Sequence, residues 1–372
     1  MSPHAAHTDQ LINWELAADT ASRLSLGGPK TNLRQARDET RALRRAAEVS
    51  VDHVHRITGL DAARDLRDSE VLVVDRVRWA QANLQSLSVL LAPGLERVRE
   101  QAPDQFAAAT RGLGSTLTGV QAGGLLSLLG TRVLGQYDPF IALPDHTGQP
   151  LGPAGGRLML VAPNVMQVRQ QLNVRPDDFR LWVCLHEQTH RVQFAAAPWL
   201  RHWLQEQITG MLASLYTSTS QWPDMLDRAK GAISKTGEGS DTGPTGSLLD
   251  AVTRDEDRER LSRITAVMSL LEGHANVVMD AVDRSVIPTV KTIRRRFTER
   301  GQQGSALSKL IRRLIGMEAK ARQYRDGQRF VDRAIGLLGT DGFNQVWTAP
   351  ELLPTEEELH DADAWARRIR AS

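Results

Sequence analysis

Apolar residues recur at spacings of three and four along most of the chain, the period of helices that bury one face. From about residue 31 to 130 this pattern runs through "NLRQARDETRALRRAAEVSVDHV" and "DSEVLVVDRVRWAQANLQSLSVLLA", which predict helices, the second stopped near Pro93-Gly94. The texture then changes. Residues 135–156, "GQYDPFIALPDHTGQPLGPAGG", are rich in turn formers, and "RLMLVAP" after them is the best strand candidate. A short helix is predicted over 164–172. Pro176, with Asp177 and Asp178 in the first turn, opens another helix, and "PWLRHWLQEQITGMLASLYT" a third. Residues 233–247, "ISKTGEGSDTGPTGS", read as a flexible loop. Thr253 to Glu256 has capping-box spacing and starts a helix that runs through "RITAVMSLLEGHANVVMDAV" and stops before Pro288. The remainder is helical, with breaks at Gly301, Gly304 and Gly339, and shows neither an internal repeat nor a long heptad run.

Composition agrees with a mainly α fold. Aromatic residues are only 5% of the 372, while Leu, Ala, Arg, Gln and Glu are abundant. We expect one domain over 1–372. A helical part spans 1–130, a core with a small β-sheet near 158–162 spans 131–290, and a second helical part spans 291–372. The net charge of +2 argues for neither a nucleic-acid nor a membrane partner. Cys184 is the single cysteine, so no intramolecular disulfide can form, as suits a reducing compartment. "MSPHAAHTDQLINWELAADT" has no basic segment followed by an apolar one, and no apolar run approaches the roughly 20 residues that span a bilayer. A soluble cytoplasmic protein is expected; its oligomeric state is open.

The candidate chemistry lies in "LWVCLHEQTHRVQF", residues 181–194. On a helix, positions four apart are separated by about 40° around the axis, so His186 and His190 can converge on one ion. Zinc accepts imidazole nitrogens, and catalytic sites use three protein ligands and leave one position open. Glu187 lies about 100° from His186, beside the pair, where it can take a proton from a zinc-bound water. H-E-x-x-H arises by chance in roughly one or two chains per hundred of this length, so its surroundings matter. Here the helix is apolar on several sides, and buried histidines and a glutamate need partners that a metal would supply. The position after His190, usually uncharged in such motifs, is Arg191.

The third ligand is sought in "LLEGHANVVMD", residues 270–280, where Glu272 and His274 interrupt an apolar helix. Glu272 and Asn276 share a face, so Glu272 could ligate while Asn276 supports a ligand histidine. His274 falls about 200° from Glu272, so the two do not serve one ion together. His274 as ligand, or Glu272 simply paired with an arginine, stand as alternatives.

H-E-x-x-H followed far downstream by a helical E-x-x-x-(D/N) resembles the gluzincin zinc metallopeptidases. "FRLWVCLHEQTHRVQF", "PWLR", "LLEGHANVVMD", "RQYRDGQRF" and "FNQVW" are similar to an actinobacterial family of predicted zinc-dependent metalloproteases, labelled as associated with coenzyme F420 biosynthesis. The likeness covers nearly the whole chain. It implies a zincin-like core with His186, His190 and Glu272 as zinc ligands and Glu187 as general base. Asn276 stands where the gluzincin pattern usually has Asp.

For oxyanion stabilisation the candidates are Tyr324, set among arginines, and His274. Basic residues outnumber acidic ones between Lys291 and Arg325, without the interleaved aromatics of a nucleic-acid surface. Cys184 reads as core packing. The reading is therefore a zinc-dependent hydrolase, most simply a metallopeptidase acting on peptide substrates. A non-catalytic helical scaffold with structural or vestigial zinc, or a hydrolase of small-molecule amides, stand as alternatives.

Overall fold

Local signals set most element boundaries in the computed structural model, which describes residues 11–110, 114–145, 148–218, 255–302 and 317–371. Helix α1 (Trp14–Leu24) follows Asn13, whose side chain accepts from the Leu16 N–H. In α2 (Leu33–Thr58), Asn32 and Gln35 form a reciprocal capping box, and Gly59, at φ 65°, closes the last turn. The next predicted helix divides. Glu70–Val74 forms strand β1, and α3 (Arg76–Gln101) starts only after Asp75, whose carboxylate accepts from the Arg78 N–H. The valine-rich run favours an extended backbone as soon as a strand partner exists.

Pro93-Gly94 does not stop α3 either, and the helix continues to Gln101. A Cβ at Gly94 would meet Leu212 Cδ1 at 2.8 Å, so the missing side chain there permits a close helix crossing. Helices α4 (Pro103–Thr110) and α5 (Gly114–Leu129) complete the N-terminal part.

Strands β2 (Gly135–Asp138) and β3 (Arg157–Val161) join β1 in a three-stranded sheet of order β1-β3-β2. The predicted strand is the central one and is buried throughout. It runs parallel to β1, with Val73 opposite Leu160, and antiparallel to β2, with Gly135 opposite Leu160. Arg157 brings a charge into this core, neutralised by Asp138 at 2.9 Å.

The rest is helical: α6 (Ala162–Leu172), α7 (Pro176–Ala196), α8 (Leu200–Ser218), α9 (Asp255–Ala281), α10 (Val290–Gln302), α11 (Met317–Asn344), α12 (Glu356–His360) and α13 (Ala362–Ala371). Gly339, at φ 72°, kinks α11 at one predicted break. The 233–247 loop, Thr253 and Gly304 lie outside the described residues. No described helix is long and apolar enough to cross a membrane.

Helix α7 is buried on several sides, and its polar residues dock it. Asp178 accepts from the Thr289 N–H and hydroxyl before α10. Arg180 forks onto Glu39 of α2 at 3.0 and 2.6 Å, and Gln188 donates to the Ala47 carbonyl. Arg191, the charge beside the motif, is buried and donates to Ser69 Oγ and the Leu66 carbonyl, tying α7 to the segment that enters β1. Cys184 is buried core.

Helices α9 and α11 meet backbone to backbone. A Cβ at Gly273 would fall 2.3 Å from Gly327 C, and one at Gly327 would fall 2.1 Å from the Ser269 carbonyl oxygen. Gly273→Ala should therefore force the helices apart and cost about 1–3 kcal/mol of stability. Urea titration should show a lower midpoint. An unchanged midpoint would mean that this close approach is not needed.

Candidate metal centre

His186 and His190 stand one turn apart on α7, their rings perpendicular at 4.9 Å between centroids and their Nε2 atoms 3.3 Å apart. Glu272 reaches them from α9, with Oε2 3.7 Å from His186 Nε2 and Oε1 3.8 Å from His190 Nε2. The three donor atoms lie within 4.8 Å of one another. Among the described residues this is the one group of three or more His, Cys, Asp or Glu side chains assembled so closely.

The protonation pattern fits a cation. Gln193, fully buried three residues after His190, donates from Nε2 to the Leu271 carbonyl at 2.9 Å, which fixes the orientation of its amide. Its Oε1 therefore faces His190 Nδ1, at 2.9 Å, and this nitrogen carries the proton. In the neutral ring, the Nε2 lone pair then faces His186 and Glu272. Burial, followed by the neighbouring His190, lowers the pKa of His186 and favours a neutral ring there as well. Two imidazole nitrogens and a carboxylate form a donor set of the kind zinc accepts.

Glu187 is buried beside this group. Burial first, then the charge of Glu272, pushes its carboxyl up to about 8. It is held against edge strand β2, where a Cβ at Gly135 would meet Glu187 Cγ at 2.6 Å. His186 and Glu187 open onto a cavity of about 460 Å³, which Asn276 also lines.

The other candidate residues are distributed differently. Among the described residues no hydrogen bond joins Asn276 to either histidine, and it is Gln193 Oε1 that accepts from His190 Nδ1. His274 points away from Glu272 into the core, against Phe343 and Trp347 at 5.4 and 5.3 Å, and its Nδ1 accepts from Gln193 at 3.0 Å. Tyr324 lies on α11, and its side chain falls outside the described residues. Gln193 was missed in the sequence, where its spacing of three from His190 was the available signal.

A family model described as zincin-like metallopeptidase matches residues 12–366. A crystal structure from Chloroflexus aurantiacus, described as a "putative hydrolase with a novel fold", is 31% identical in sequence, with a TM-score of 0.64 over 97% of this chain and 99% of that one. Among curated proteins, none matches the chain.

Burial gives the metal-free protein a pH signature. It lowers the pKa of His274 from 6.5 to about 3, with His190 adding to the effect, so the unfolded chain binds a proton in this range that the fold excludes. Stability is then present above 6.5 and is lost as pH falls toward about 3. In urea titrations of chelator-treated protein, His274→Phe should flatten the dependence by up to about 1.4 kcal/mol per pH unit. An unaltered slope would contradict a neutral buried ring.

Proposed function

This chain belongs to the zincin-like metallopeptidase family, and from that premise we propose that it hydrolyses peptide bonds at a zinc held by His186, His190 and Glu272. The observation that carries the reading is the convergence of these three donors within 4.8 Å, beside the buried carboxyl of Glu187. Two histidines with a downstream glutamate make a gluzincin-type set. Bound zinc supplies Lewis-acid polarisation of a carbonyl and makes a water acidic enough to attack near neutral pH. Gln193 holds the His190 ring in the tautomer that presents Nε2 to the metal. Glu187 ionises as positive charge offsets the field of Glu272. As carboxylate it takes a proton from the attacking water and returns it to the leaving amine.

The cavity at His186 and Glu187 favours catalysis over a structural site, whose ligands would be closed off. A peptide is favoured over a small amide by β2. It is an edge strand beside Glu187, unpaired on its outer side among the described strands, so an extended chain can pair with it.

Elemental analysis of the purified protein should find about one zinc per chain, lost in His186→Ala and in Glu272→Ala. Glu187→Gln should retain zinc while casein or peptide-library hydrolysis falls by about 10²–10⁴. Wild-type turnover in that variant would remove Glu187 as base, and a zinc-free protein after reconstitution would remove the metalloenzyme.

Gln193→Leu should weaken zinc binding by about 10–100-fold in competition with a chelator, since it removes the acceptor that fixes the His190 tautomer. Gln193→Glu, which keeps an acceptor at that position, should recover most of the affinity. Equal losses in both variants would mean that Gln193 only packs.

A further inference from the structure

Helix α5 is apolar on both of its faces. Its inner face lies backbone to backbone on α1: a Cβ at Gly119 would fall 2.6 Å from the Asn13 carbonyl oxygen, and one at Gly123 would fall 2.3 Å from that of Ala17. Leu126, also turned inward, is buried in a cluster with Trp79 of α3. The outer face is open. Leu117, Val120, Leu125 and Leu128 are 58%, 40%, 48% and 40% exposed there, and Leu24, at the end of α1, is 55% exposed. No charged residue occurs from Gly114 to Leu129. A helix that is hydrophobic all round is ordinarily buried all round, and a contiguous apolar patch left in water marks a contact surface.

The order of the outward side chains points to the occupant. Leu117, Val120, Gln121, Gly124, Leu125 and Leu128 are placed symmetrically about the middle of the stripe. When two α5 helices cross antiparallel, Leu117 meets Leu128, Val120 meets Leu125, and Gln121 meets Gly124. Gly124 has room for that long polar side chain, since a Cβ there would touch nothing nearer than Leu24 Cδ1 at 3.9 Å. Such a pairing opposes no charges, and one patch serves both copies, as a two-fold contact requires. An anionic bilayer fits less well, because Glu15 and Asp19 are exposed on the adjoining α1. Nor does the sequence ahead of α1 supply a cover, as "MSPHAAHTDQ" contains no Leu, Ile, Val or Phe. The stripe is about 17 Å long. That length suits a small specific interface, below about 1,200 Å² in total, and an association on the order of 10 µM.

We infer that the outer face of α5 is the interface of a homodimer, in which two copies of this chain pair antiparallel with Leu117 of each against Leu128 of the other.

Sedimentation velocity of the full chain from about 1 to about 300 µM tests it, a range that brackets such an association. The mass should rise from one chain to two. Leu117→Glu and Leu128→Lys, both at exposed positions that do not threaten folding, should each weaken the dimer by about tenfold or more. Placed together in one chain they should restore it, since the antiparallel register sets each carboxylate against the other copy's ammonium. Leu117→Cys with Leu128→Cys in one chain should give a covalent dimer on oxidation, while either alone does not. The native thiol does not compete, because Cys184 is buried. A monomer throughout the range, a dimer indifferent to Leu117→Glu, or single variants that the pair fails to rescue overturns the inference. So does a monomer that floats with phosphatidylcholine–phosphatidylglycerol vesicles and loses them in Leu117→Glu, which would make the stripe a membrane contact.

Discussion

The crossing of α7 and α9 sets His186 Nε2, His190 Nε2 and a Glu272 carboxylate oxygen within 4.8 Å of one another, each side chain half-buried. Such a group is poorly stabilised by its own members. The two imidazole Nε2 atoms stand 3.3 Å apart, and the charge of Glu272 adds to burial in disfavouring the Glu187 carboxylate. A divalent cation relieves all of these at once. The arrangement around the crossing can be understood as holding these donors in place at some cost to the metal-free fold.

Several unrelated contacts share that task. Gln193 links the two helices by joining His190 on α7 to the Leu271 carbonyl and His274 on α9. Gly273 lets α9 lie directly on α11, which fixes the depth of Glu272 next to it in sequence. Gly135 lets β2 come up against Glu187. Arg191, an unusual charge for this kind of motif, anchors the turn of α7 after His190 to the chain entering β1. Each contact is structural in itself, and together they bring His186, His190 and Glu272 to one point, with the Glu187 carboxyl beside them and a cavity at His186 and Glu187.

How much of this was legible in the sequence depends on how local each signal is. The pair His186 and His190, with Glu187 beside it, is a one-turn pattern and could be read directly. Glu272 could be proposed because it interrupts an apolar helix, and the 200° separation placed His274 on another face, where it packs on Phe343 and Trp347. Gln193 could not be singled out, since a glutamine on a helix is ordinary until the second helix is known. The helix predicted through 68–92 failed at Val71, Val73 and Val74, because pairing with β3 depends on a segment more than eighty residues away. Pro93-Gly94 misled in the same way, as the crossing at Leu212 is invisible locally.

The central claim is that one zinc is bound by residues from α7 and α9. Anomalous scattering at the zinc edge from crystals of the loaded protein tests it most directly. The account predicts a single strong peak bounded by His186 Nε2, His190 Nε2 and a Glu272 oxygen, at about 2.0–2.2 Å from each. A peak elsewhere, or one at this crossing that His274 ligates in place of Glu272, would contradict it.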